Sequence, residues 1–335
     1  MTLLALDIGG ANLKMADGIG HVESRYFPLW QRPEQLAAEL EAMLRAAPAA
    51  DQIVATMTGE LADCYRTKAE GVARIVEALA TAAVGRQVRI YSTDGTFIAP
   101  QDATNSPLKV AAANWHALAR FAGRFAPSGP ALLLDIGSTT SDLIPLIDGQ
   151  PAPRGWTDPD RLLCGELVYT GVQRSNLCVV CATLPWRGAS YPTANELFTT
   201  TWDAYLMLDA LPEEPYETYT ADGRAATKEF AHERLARAIC ADRDQFTRDD
   251  ALAAAHAVEE AQLAQLARAA QGVIDHLPGA PQTVVVSGRG EFLARKLIER
   301  LQLAPQVVSL GDELGPQSSR CATAHALAVL AREAD

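Results

Sequence analysis

One short phrase occurs twice in the chain: Leu4-Ala5-Leu6-Asp7-Ile8-Gly9-Gly10-Ala11-Asn12 and Leu132-Leu133-Leu134-Asp135-Ile136-Gly137-Ser138-Thr139-Thr140. Each copy is an apolar strand that ends in Asp-Ile-Gly. The two aspartates lie 128 residues apart, a spacing of domain size rather than that of a stacked repeat. The expected fold is therefore two related α/β units facing one another. An Asp at the end of a buried strand offers a carboxylate to a cation, and a following turn of small residues leaves backbone N–H groups open to an anion. Two such copies across a cleft would clamp a metal-bound phosphate or diphosphate.

A chain of 335 residues with 48% hydrophobic content is long enough for two cores of ordinary size. Its net charge of −12, from 29 basic and 41 acidic residues, argues against nucleic acid or an anionic membrane as the main partner. An anion must then bind at a local site, and small molecules are the expected partners. The N-terminus enters a strand without a basic leader, and no run approaches the ~20 apolar residues of a spanning helix. A cytoplasmic location is expected. Six cysteines in such a chain do not make a dense disulfide framework and read as reduced thiols.

Along the first unit, residues 3–8 and 11–16 read as a hairpin and residues 21–29 as a third strand. A helix follows, with Pro33 near its start and Leu36, Leu40, Met43 and Leu44 on one face. A strand at Ile53 to Met57, a helix at Ala69 to Val84, a strand at Val88 to Tyr91 and one helix from Leu108 to Phe125 complete it. The turn-rich segment from Ala126 to Pro130 places the boundary between domains 1–128 and 129–335. In the second unit the repeated hairpin is followed by a loop-rich insertion over about 150–245 that holds most of the Trp and Tyr. A long helix from about Asp249 to His276, a strand at Thr283 to Val286, a helix, a strand at 306–309 and a closing helix near 319–332 end the chain.

The paired turns supply the leading candidates. Asp7 and Asp135 suit Mg²⁺ held largely through water, because that ion prefers few carboxylates plus phosphate oxygens. N–H groups and hydroxyls around Gly9, Gly10, Ala11, Asn12, Gly137, Ser138, Thr139 and Thr140 would contact phosphate oxygens. Lys14 is either a counter-charge or an exposed strand residue. Ser287-Gly288-Arg289-Gly290 precedes a helix whose positive end would meet an anion or the edge of a base, and Ser287 and Gly288 join the phosphate set. Leu293 stands where a third glycine of the dinucleotide fingerprint would be, so no dinucleotide fold is read here.

Asp94, in Thr93-Asp94-Gly95, is a candidate general base or second metal carboxylate, with a structural turn as the alternative. Glu166, Tyr169 and Arg174 could reach a substrate from the second unit. Cys178 and Cys181 have metal or redox spacing, but the apolar residues around them read as a buried strand, and no second such pair is present. His116 and His325 lie in helical segments and read as packed or exposed residues rather than ligands.

The two phosphate turns, the Ser287-Gly288 turn and the closing helix resemble the actin-like ATPase superfamily of sugar kinases, actin, Hsp70 and hydantoinase/oxoprolinase-like proteins. The resemblance implies two ribonuclease-H-like domains flanking a phosphate-binding cleft. More narrowly, Leu6 to Lys14, Thr93-Asp94-Gly95 with Ala111 to Trp115, Asp135 to Asp142, Gly165 to Val172, Thr220 to Arg224 and Cys240-Ala241-Asp242 resemble one family. It is the hydantoinase/oxoprolinase-like family of tetrahydromethanopterin-linked one-carbon metabolism, whose archaeal members are furan-methanamine synthases of methanofuran biosynthesis.

The family resemblance implies a transferase. Its donor would be an aminomethylfuran-methanol diphosphate, and its acceptor the phenol oxygen of a γ-glutamyl-tyramine or, for bacterial methylofuran, a tyrosine-type counterpart. Mg²⁺ is the implied cofactor and ATP is possible without being required. Apolar and aromatic residues from Trp156 to Tyr205 would line the aryl pocket. Two other uses of such a cleft are an ATP-dependent small-molecule kinase or ATPase and a nucleotide-sensing regulatory protein without turnover.

Overall fold

In a computed structural model, which describes residues 2–334, the two phrases open two sheets of equivalent strand order. Strand β1 (Leu3–Ile8) returns antiparallel as β2 (Asn12–Ala16), which pairs with β3 (Val22–Tyr26). Every residue of β1 is buried, as expected of a strand covered on both faces. Helix α1 (Leu36–Ala46) buries Leu36, Leu40, Met43 and Leu44, the stripe expected from the sequence. Strand β4 (Gln52–Met57) runs parallel to β1. Helix α2 (Lys68–Ala83) starts at Thr67, whose hydroxyl accepts the Glu70 N–H. Strand β5 (Gln87–Tyr91) extends the parallel set, and the short β6 (Phe97–Ile98) closes the sheet in the order β3-β2-β1-β4-β5-β6.

Two expectations for this half need correction. Only Val22–Tyr26 pairs as the third strand, because Phe27 and Leu29 turn their N–H groups back to the Ala11 and Gly10 carbonyls, both at 2.9 Å. After α3 (Pro100–Asn105), the single helix expected from Leu108 to Phe125 is instead two, α4 (Pro107–Val110) and α5 (Asn114–Ala122). The helix breaks where Ala111 bridges to Met57 of β4 and Ala112 takes a left-handed φ of 49°. Backbone pairing to the sheet edge overrides the local helical pattern there.

The second half opens with β7 (Pro130–Ile136), β8 (Ser141–Ile147) and β9 (Gln150–Pro151). It continues through α6 (Asp158–Cys164), β10 (Leu167–Val168), α7 (Leu177–Val180) and the hairpin β11 (Thr183–Trp186) with β12 (Ala189–Pro192). Helices α8 (Thr201–Met207), α9 (Lys228–Arg237) and the long α10 (Arg248–Ile274) follow. Strand β13 (Thr283–Ser287), α11 (Glu291–Arg300), β14 (Gln306–Ser309), α12 (Leu310–Ser318) and α13 (Ala322–Ala334) complete the chain. The sheet order is β10-β8-β7-β13-β14. In both sheets the phrase-bearing strand lies between its own hairpin partner and a parallel neighbour.

The insertion is more ordered than expected. It carries α6 to α9 and the β11–β12 hairpin, and Trp186, Trp202 and Tyr205 pack into the core of the second half against α10. These aromatics therefore do not line an aryl pocket. A buried ion pair, Asp203 with Arg234, holds α8 to α9.

The helices α5 and α13 knit the halves together. Trp115, Leu118 and Phe121 of α5 pack with Leu133, Ile144, Leu146 and Val285 of the second sheet. In exchange, Leu327, Ala328, Leu330 and Ala331 of α13 pack with Leu3, Ala5, Val54 and Tyr91 of the first. His116 lies within α5, where burial pushes its imidazole down to about 4, and its Nδ1 is 3.0 Å from the Tyr91 hydroxyl. Among the described residues no helix is long and apolar enough to cross a membrane.

Candidate active site

The two Asp-Ile-Gly turns close in the same way. Gly9 N–H donates to the Asn12 carbonyl at 3.0 Å, and Gly137 N–H donates to the Thr140 carbonyl at 2.9 Å. Each is a two-residue hairpin, Gly10-Ala11 in one case and Ser138-Thr139 in the other. Among the described residues the N–H groups of those four loop residues donate to no protein acceptor. The second turn is backed by residues 172–174, whose N–H groups donate to the Gly137 and Ser138 carbonyls.

The aspartates end parallel strands at the carboxyl edge of each sheet, where ligands of open α/β sheets bind. Asp7 pairs across β1 and β2 with Lys14, and Asp135 pairs across β7 and β8 with Asp142. Asp7 Oδ1 is buried with no hydrogen-bond partner. Burial raises the Asp7 carboxyl, with the Lys14 charge opposing. Burial likewise pushes Asp135 up to about 6, with repulsion from Asp142 and Asp7 added and the Ser287 hydroxyl and Lys14 opposing. Asp7, Asp135 and Lys14 thus share one electrostatic site. Ser287 lies opposite Asp135 in the β13–β7 register, and Gly288, at φ 88°, leaves no room for a side chain against the Ile136 carbonyl and Asp135 Oδ1.

An aromatic and cationic rim lies beside the turns. Tyr26, opposite Asn12 in the β2–β3 register, stacks on Tyr219 of the insertion with ring centroids 3.5 Å apart. The Arg174 guanidinium lies 5.4 Å from the Trp30 ring centre, and Arg32 sits at the same distance from Phe27. Both guanidiniums are exposed. Arg289 instead bonds to Gln173 and Glu214, tying the insertion to the Ser287–Gly290 turn.

A family model for hydantoinase/oxoprolinase matches residues 51–333. The chain belongs to the hydantoinase/oxoprolinase family. A relative from Methanocaldococcus jannaschii is 32% identical over 98% of this chain and 97% of its own length. It is named (4-{4-[2-(gamma-L-glutamylamino)ethyl]phenoxymethyl}furan-2-yl)methanamine synthase. A protein of the same name from Methanococcus vannielii is 26% identical over 59% of this chain and 89% of its own. Among solved structures, the PilM-PilN type IV pilus biogenesis complex matches at TM-score 0.50 and 14% identity, over 98% of each chain. Nucleotide-free acetone carboxylase matches at TM-score 0.51 and 13% identity, over 94% of this chain and 51% of that one. The fold is shared with these structures.

Within this hydantoinase/oxoprolinase fold, several residues singled out in the sequence are occupied elsewhere. Asp94 caps its own turn: Oδ1 accepts the Thr96 N–H at 3.1 Å and the Thr96 hydroxyl at 2.5 Å. The Thr96 hydroxyl bond holds its carboxyl below the usual range, against the opposing effect of burial, which makes Asp94 a poor base. Glu166 is 1% exposed, and its carboxylate accepts the Arg154 and Gly155 N–H groups at 2.6 and 3.1 Å. It closes a loop. Tyr169 is exposed beside Leu163 and Arg268 on the α6 and α10 surface. Cys178 lies in, and Cys181 caps, a one-turn helix rather than a strand, their Sγ atoms turned to Asn176 and to the Thr183 carbonyl. Among the described residues no three His, Cys, Asp or Glu side chains group as a ligand set.

Of Glu166, Tyr169 and Arg174, Arg174 is the one found beside an Asp-Ile-Gly turn. Tyr26, Trp30, Arg32 and Tyr219 carried no signal in the sequence, because they meet only when the halves and the insertion come together. Gly171 also matters here: a Cβ on it would stand 2.5 Å from the Ser138 carbonyl carbon and the Thr139 nitrogen. Gly171→Ala is expected to displace the second turn and destabilise the fold by about 1–3 kcal/mol. Urea unfolding, with pyrophosphate binding measured on the same sample, checks both effects.

Proposed function

We propose that the protein joins an aminomethylfuran-methanol diphosphate to the phenol oxygen of a glutamyl-tyramine or tyrosine-type acceptor, forming an aryl ether and releasing pyrophosphate. The observation that carries this reading is the likeness to the Methanocaldococcus jannaschii synthase, which spans nearly the whole of both chains and so includes both turns. That relative's name describes a furan joined to a phenol through an ether, and a diphosphate is the leaving group a pair of phosphate turns suits.

The two halves, residues 1–128 and 129–335, act as the jaws of the clamp. Free N–H groups of Gly10, Ala11, Ser138 and Thr139 point to the departing pyrophosphate and stabilise the charge growing on it. Lys14 adds positive charge beside both aspartates. Asp7 and Asp135 fit a magnesium ion, because one buried oxygen of Asp7 has no partner and the two carboxylates repel each other without a cation. When bound, that ion would neutralise the leaving diphosphate. Tyr26, Trp30 and Tyr219 offer flat faces to the acceptor ring, and Arg32 and Arg174 offer charge to its carboxylates or to the diphosphate.

The test is a mass-spectrometric assay with Mg²⁺, the furan diphosphate and each acceptor, with ATP in a parallel reaction. Ether and pyrophosphate in equal amounts without ATP are expected. ADP without ether overturns the reading in favour of a kinase or ATPase. Arg174→Ala is expected to raise KM for one of the two substrates about tenfold with a smaller change in kcat, the scale of one charge-assisted hydrogen bond. Steady-state kinetics with each substrate varied in turn identifies which.

A further inference from the structure

Glu60 follows β4 just after Thr58 and Gly59, which back onto the first turn. Thr58 and Gly59 N–H both donate to the Ile8 carbonyl, at 2.9 and 3.0 Å, and Gly59 backs onto Gly9. The Glu60 side chain is 1% exposed, and its Oε2 is buried with no hydrogen-bond partner. A buried carboxyl with an idle oxygen is costly and calls for a role. The charged groups acting on it are Lys68 of α2 and Asp158 of α6, an ion pair of 2.5 Å that bridges the halves, and the Ala112 N–H also points to it.

The other carboxylates around the cleft are engaged. Asp142 is bonded to Arg161 at 2.7 Å, Asp158 to Lys68, Asp94 to Thr96 and Glu166 to backbone. Asp7 and Asp135 form the proposed metal pair. We propose that Glu60 is the general base of the transfer, taking the phenolic proton of the acceptor. This rests on the transferase reading above. As the proton moves to the Glu60 carboxylate, the phenol oxygen bonds to the furan methylene carbon. The bond from that carbon to the diphosphate breaks, and its electron pair leaves with pyrophosphate.

The environment suits the task. Burial pushes the Glu60 carboxyl up to about 7, with Lys68 opposing and Asp158 reinforcing. A base that titrates near neutral pH combines a populated carboxylate with useful basicity toward a phenol of pKa about 10. The Lys68–Asp158 bridge beside it spans the two halves.

The experiment compares wild type, Glu60→Gln and Glu60→Asp in the ether-forming assay. Glu60→Gln is expected to lower kcat by roughly 10²–10⁴-fold with little change in KM for the diphosphate or in pyrophosphate binding. In wild type kcat should rise with pH through about 7 as Glu60 loses its proton, and the glutamine variant should lose that limb. A fluorinated phenol acceptor, already more acidic, should recover part of the loss. Glu60→Asp keeps a carboxylate and should retain a pH limb at reduced rate, a readout available if the glutamine variant folds poorly. A glutamine variant within threefold of wild type or with an acceptor response like wild type, or an aspartate variant without the pH limb, overturns the role of Glu60 alone. Wild type that forms no ether overturns the transferase reading and this proposal with it.

Discussion

Asp135→Asn is expected to fold normally and to lose about a thousandfold in turnover, the scale on which removal of one preorganised electrostatic contact acts in an active site. Asp135 sits at the junction of the features from which the diphosphate site is proposed. It ends β7 one residue before the second turn, lies opposite Ser287 and abuts Gly288. It also shares repulsion with Asp7 and Asp142. Asparagine keeps the shape and removes the charge. The loss of mutual repulsion means the melting temperature should be no lower than that of wild type, so any drop in activity belongs to chemistry rather than to folding. Turnover and melting measured on one preparation separate these effects. An Asp135→Asn protein that forms ether at the wild-type rate would remove Asp135 from the proposed metal pair.

The largest loss of stability is expected at Arg234→Ala. Asp203 lies at the third position of α8, where its Oδ2 accepts the Thr199 hydroxyl at 2.7 Å and the Thr200 N–H at 3.1 Å. Its Oδ1 accepts from Arg234, and both side chains are essentially excluded from solvent. Burial raises the Asp203 carboxyl and the Arg234 guanidinium opposes that rise. Removing the guanidinium strands a buried carboxylate, which costs about 3–5 kcal/mol. A double variant, Asp203→Asn with Arg234→Met, should recover much of the loss because it removes the stranded charge while filling the space. Urea unfolding midpoints decide the matter, and a single-variant loss below about 1 kcal/mol would show that water reaches the pair.

The features readable from sequence were those whose chemistry is local. An apolar run ending in Asp-Ile-Gly forms a strand and a tight hairpin wherever it is placed, so both copies adopt the same closing hydrogen bond. The stripe of Leu36, Leu40, Met43 and Leu44 forms one buried helix face for the same reason. Leu108 to Phe125 misled, since helical periodicity cannot reveal that Ala111 will bridge to β4. Trp186, Trp202 and Tyr205 misled as well: aromatic side chains suit a pocket or a core equally, and α10 gives them a core.

The sequence alone determined the duplicated turn, the two aspartates that end it and the family to which the chain belongs, because each depends on neighbours a few residues apart. The tertiary structure decided which carboxylates are free to act. Asp94 and Glu166 are held by their own loops, while Glu60, unremarkable in sequence, is left buried with an idle oxygen between the halves. It also decided the rim, bringing Tyr26 onto Tyr219 and Trp30 under Arg174. Burial, charge and contact across the cleft are set by residues far apart along the chain, so the proton affinity of a carboxyl and the partner of a ring exist only once the two sheets face each other.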